Sequence, residues 1–213
     1  MNLPDHGLSE LFAPLAATPH PEYDAMLVAV EREFRAVDGA RLAEQLDEAA
    51  RPVLGIARRP PGEQALELAH AAWQALPRTA DDPQAWLLGE ALASGRAAPP
   101  LRAAVGAEIA RRAGVRARPV RRHAHWLVAV HRPASSPVGA EVGPDRDLAP
   151  EGVEGCLCAH ELAFLVLGRM ADAWWRAGDP ARAHRAAGLR LLLPLGARLQ
   201  AKAREDLLRF GTH

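Results

Sequence analysis

Between Pro99 and Val130 the apolar residues change period once, and that change commits the chain to laying a helix beside strands. Leu101, Val105, Ile109 and Ala113 recur at helical spacing, and Gly114 supplies the stop. Pro99 and Pro100 stand where a helix begins, because residues of the first turn have no intrahelical donor to lose. From His125 to His131 the pattern alternates residue by residue, the mark of a strand with one buried face. Arg116 to Val120 precedes it as a second extended segment, and Val138 to Val142 suits a short third.

Elsewhere helical spacing dominates. Leu27, Val30, Phe34 and Val37 predict one helix ended at Gly39. Leu42, Leu46 and Ala49 predict a second, ended by Pro52, and Leu66, Ala69, Trp73 and Leu76 mark the buried face of a third. Asp82-Pro83 reads as an N-cap with proline in the first turn, opening a helix that buries Leu88, Ala91 and Leu92 before Gly95. After Gly155, Leu162, Leu165, Val166, Met170, Ala173 and Trp174 share a helix face. Gly178-Asp179-Pro180 makes a tight turn, and Ala183, Ala187 and Leu191 face back as a hairpin. A last helix carries Leu195, Leu199, Ala203 and Leu207. The fold class this predicts is α+β, mostly α, with a small antiparallel sheet and a C-terminal helical hairpin plus a final helix. Residues 1–21, with little periodicity, read as a flexible N-terminal arm. Residues 22–155 read as a helical region and core, and 156–213 as a helical tail packed on the core.

Charge and cysteine content exclude several classes. The 26 basic and 26 acidic residues cancel, so no global field favours nucleic acid or a membrane surface. No apolar run reaches the ~18 residues of a membrane span, and the first residues lack the pattern of a signal peptide. Two cysteines one residue apart make no disulfide framework, which suits reduced thiols in a cytoplasmic setting.

The stretch from Asp82 to Val130, with Arg111-Arg112-Ala113-Gly114-Val115 followed by a strand bearing His125-Trp126-Leu127-Val128, resembles the transglutaminase-like family. The likeness is to its SirB-type branch, in which that core precedes a tetratricopeptide-like helical tail. Trp174, Gly178-Asp179, Ala183 and Pro194 match one such repeat. The resemblance implies a papain-like core with a cysteine at a helix N-terminus, a histidine on the following strand and an aspartate on the next. The nucleophile belongs where Pro99 and Pro100 stand, so the core is degenerate. His125 is then a vestigial base, and Asp145 and Asp147 are candidates for the orienting carboxylate. A non-catalytic protein that binds another protein, as scaffold or regulator, is the function this implies, and the expectation leans away from an enzyme.

An alternative stays open. Cys156 and Cys158 are candidate nucleophiles for a hydrolase of altered chemistry that uses His125, or candidate metal ligands with His160. No cofactor is implied by any motif. For binding, Arg111, Arg112, Arg116, Arg118, Arg121 and Arg122 form a basic cluster suited to an acidic protein partner, while the lack of interleaved aromatic residues argues against nucleic acid. Trp175, about 100° from Trp174 around its helix, is a candidate anchor for a partner.

Overall fold

A computed structural model of the protein describes residues 10–131, 136–143, 148 and 155–211. In chain order they form α1 (Phe12–Ala16), α2 (Tyr23–Arg32), α3 (Gly39–Ala50), α4 (Pro61–Ala75), β1 (Arg78–Thr79), α5 (Leu88–Ser94) and β2 (Arg96–Ala97). There follow α6 (Pro99–Arg112), β3 (Ala117–Arg122), β4 (His125–Val130), β5 (Val138–Glu141), α7 (Ala159–Arg176), α8 (Pro180–Leu189) and α9 (Ala197–Phe210). The fold is α+β and mostly helical, with a small antiparallel sheet. The described residues divide into two units: Asp38–Cys158, and those up to Val37 taken with those from Ala159.

Within Asp38–Cys158 the central element is α6. Its sequence is apolar or small around most of the circumference, and every residue from Pro100 to Ala110 is buried. It packs against α3, α4, β3 and β4. Gly114, at φ 73°, takes the left-handed conformation that ends the helix, and the Val115 amide donates to the Ala110 carbonyl at 2.8 Å. The chain therefore turns back, and β3 runs along α6 toward its N-terminal end. β3, β4 and β5 pair in that order, with Val120 opposite Leu127 and Val128 opposite Ala140.

Strand alternation sorts the two faces of this sheet. Trp126, Val128 and Val130 share the face that carries Val128 against Gly106 of α6. Leu127 and Ala129 point the other way and form a small cluster with Val120, against which Cys156 packs. The segment at Cys156 joins the free edge of β3 through a bridge to Val120, and the Leu157 amide donates to the Pro119 carbonyl at 3.0 Å. Pro119, which has no N–H, serves that edge only as an acceptor.

Three expectations in this unit need correction. Gly39 does not end a helix: Asp38 accepts from the Ala40 and Arg41 amides at 3.1 Å, so Gly39 opens α3, while α2 stops at Arg32. The buried face of α4 is Ala65, Leu68, Ala69 and Ala72, with Leu66 and Trp73 only half-buried, because alanines let neighbouring elements approach closely on their own side. Asp82 caps nothing: its carboxylate pairs with Arg96 at 2.6 Å, and Pro83–Trp86 is a 3-10 turn before α5. The two-residue parallel pair of β1 and β2, with Thr79 opposite Ala97, is too short to leave a periodic trace in the sequence.

The second unit comprises α1, α2, α7, α8 and α9. It takes in the described part of the N-terminal segment together with the residues from Ala159. Phe12 and Ala16 of α1 are fully buried, and the His160 Nε2–H donates to the Ala16 carbonyl at 3.0 Å. Pro14 is tolerated because it lies in the first turn. α2 packs on α7 and so belongs with the C-terminal helices. Gly178, at φ 78°, turns the chain between α7 and α8, and Asp179 caps α8 by accepting from the Arg182 amide at 2.9 Å. Buried Arg190 pairs with Asp206, lies 3.8 Å from the Phe164 ring centroid, and rests against Gly168, where a Cβ would come within 3.1 Å of its Cζ.

Candidate functional site

Pro99 and Pro100 are the first two residues of α6, followed by Leu101 and Arg102. That turn contains no thiol or hydroxyl, and its two prolines bring no backbone N–H. Ala98, Pro100 and Leu101 are buried beneath the neighbouring elements.

His125 begins β4, at the same end of the sheet as the start of α6. Its Nδ1 lies 2.7 Å from the Glu141 carboxylate on β5, and both side chains are exposed. Glu141 lies on the next strand; Asp145 and Asp147, the carboxylates expected to orient His125, lie outside the described residues. Alternation along β4 nevertheless turns His125 to the face opposite Val128, away from α6.

A different histidine meets a thiol. Cys156 Sγ lies 3.1 Å from His131 Nε2 on the sheet face that also carries Leu127 and Ala129. Burial pushes the Cys156 thiol above its ordinary value, opposed in part by the Arg118 guanidinium. Burial also pushes the His131 imidazole below its ordinary value, and Arg118 acts in the same direction. Both shifts favour a neutral thiol hydrogen-bonded to a neutral imidazole, a pair able to move a proton but not a standing thiolate. The expected partner of the cysteines was His125. The sign that His131 could take that place was its parity in the alternating run, since it shares a strand face with His125.

The remaining candidates scatter. Arg111 and Arg112 are tied to buried Glu108 at 2.9 and 2.8 Å, and Arg112 also reaches Asp47 at 2.7 Å. Arg116, Arg118 and Arg121 are exposed, and Arg122 is half-buried. Trp175 is half-buried, with its ring 5.4 Å from that of Phe210. His160 is spent on Ala16, and among the described residues no group of three or more His, Cys, Asp or Glu side chains is placed to hold a metal ion. Among the same residues no helix is long and apolar enough to cross a membrane. An open cleft of about 430 Å³ between α3 and α4 is lined by Val53, Ala71 and Ala75 with Glu67, His70 and Gln74 at its polar side.

No protein-family model matches this chain, and no curated protein matches it.

Proposed function

We propose that this protein is a non-catalytic, transglutaminase-like scaffold or regulator that binds another protein in the cytoplasm. The observation that carries the reading is Pro99-Pro100 at the start of α6, where a reactive cysteine and its supporting amides would stand. The His125–Glu141 pair, exposed and directed away from that helix, is consistent with a base that no longer has a task. Exposed Arg116, Arg118 and Arg121 on and beside β3 offer directed donors to an acidic segment of the partner.

Affinity capture from native lysate tests this, with wild-type protein beside a double charge reversal, Arg118→Glu with Arg121→Glu. A partner recovered by the first and lost from the second supports the scaffold. Equal recovery by both, or none above background, counts against it.

One observation favours a second reading, a thiol-dependent hydrolase: the 3.1 Å approach of Cys156 Sγ to His131 Nε2. Turnover of any ester or amide that disappears in Cys156→Ala would replace the scaffold reading with this one.

A further inference from the structure

Arg102 stands in the first turn of α6 and is only 5% exposed. Helical side chains lean toward the N-terminus of their own helix. Arg102 does so: its Nη2 donates to Thr79 Oγ1 at 3.1 Å, and Thr79 is paired with Ala97 in the strand pair that leads into the helix. The guanidinium therefore sits at the positive end of the α6 dipole, the unfavourable end for a cation. No acidic residue occupies the first turn, and among the described residues Arg102 makes no ion pair. Its Nε is buried without a hydrogen-bond partner.

The nearby carboxylates are committed elsewhere. Asp82 holds Arg96 at 2.6 Å, and Asp81 accepts from Trp86 Nε1 at 3.1 Å. Arg78 is turned to the Ser94 carbonyl. A buried cation with no counter-charge is among the costliest arrangements a protein interior can hold, and desolvation accordingly lowers the basicity of Arg102.

We propose that Arg102 and Thr79 form an oxyanion site at the start of α6, which takes a carboxylate or phosphate group. Nε–H and the neighbouring Nη2–H project from one edge of the guanidinium, the fork that grips two oxygens of one anion. Nη2 is half used and Nε unused. The Thr79 hydroxyl accepts from Nη2 and so keeps its own proton to donate, and Thr79 is exposed. The guanidinium supplies the directed donors that Pro99 and Pro100 withhold. The site stands whether or not the scaffold reading does, since it requires no partner protein.

The test is a titration of the full chain with sodium phosphate or sodium acetate at ionic strength held constant with sodium chloride. It is followed by the NMR signal of the arginine Nε–H groups. The expected result is a saturable shift of the Arg102 Nε–H with at least one anion. Saturation by phosphate assigns a phosphate group, and saturation by acetate a carboxylate. Thr79→Val, at an exposed position that does not threaten folding, should weaken binding about tenfold, the scale of one charge-assisted hydrogen bond. A shift that chloride reproduces, one that never saturates, or affinity unchanged in Thr79→Val would overturn the proposal.

Discussion

Val128 fills the notch that Gly106 leaves in α6: a Cβ built on Gly106 would lie 2.4 Å from Val128 Cγ2 and 3.2 Å from the Ala72 Cβ. Helix and sheet meet at this point because one residue has no side chain. Alanine is the better helix former by about 1 kcal/mol, so helix propensity alone favours Gly106→Ala. The contact is far shorter than real Cβ atoms tolerate, and overpacking of this kind costs about 1–3 kcal/mol. Gly106→Ala should therefore lower the melting temperature by a few degrees, and Gly106→Ala with Val128→Ala should recover part of the loss. Thermal unfolding of the two variants decides it.

The Cys156–His131 pair predicts a particular pH dependence. The imidazole is held below its ordinary value of about 6.5, so the folded protein resists a proton that the unfolded chain accepts. Its contribution to stability is present above that value and is lost as pH falls through the folded one. The thiol is held above its ordinary value of about 8.5, so its contribution is present below that value and is lost as pH rises through the folded one. Chemical denaturation across pH should show a plateau between the two, and His131→Asn should remove the acid shoulder.

Alkylation reads the same pair directly. Cys156 should react with iodoacetamide more slowly at neutral pH than an ordinary exposed thiol, with a midpoint displaced upward. Arg118→Gln removes the one charge that draws the value down and should displace the midpoint further. Rates followed by mass spectrometry of the modified peptide check this, and a midpoint that moves down would contradict the assigned role of Arg118.

In the helical unit, Asp206 sits between buried Arg190 and Lys202, whose Nζ lies 2.9 Å away. Burial pushes its carboxyl up, but the hydrogen bonds and charges of Lys202 and Arg190 outweigh burial and hold it below the ordinary range. Stability from this group is present above the ordinary carboxylate value and is lost as pH falls through the folded one. Asp206→Asn leaves the Arg190 charge buried and uncompensated, an expected loss of about 3–5 kcal/mol. Lys202→Met, at an exposed position, should cost far less. Denaturant titration of both variants compares them.

Asp179 offers a milder test. It caps α8 through the Arg182 amide, so Asp179→Ala should cost about 1 kcal/mol while circular dichroism shows the helix content essentially retained.

The periodic parts of this architecture were legible in the residues. The stripe of α6, the stop at Gly114, the alternation of β4 and the Gly178-Asp179-Pro180 turn all follow from local rules, because each is set by neighbours within four positions. What escaped depended on distant neighbours. His131 and Cys156 are 25 positions apart, and nothing local says which of two histidines on one strand face the sulfur will meet. Glu141 left no local sign, because register, rather than residue type, sets it within reach of His125. Arg102 sat unnoticed in an arginine-rich chain, since only burial distinguishes it from its exposed neighbours. The burial of Phe12 and Ala16 left no periodic trace, because α1 is only five residues long.

The grouping of α1 and α2 with helices that begin only at Ala159 has a consequence for synthesis. A ribosome delivers the whole of Asp38–Cys158 before any residue of α7 exists. Phe12 and Met26, buried in the finished protein, must then wait in the growing chain without α7, on which α2 packs. Domains fold largely as they emerge, so the middle segment can collapse first while these two side chains stay available to chaperones.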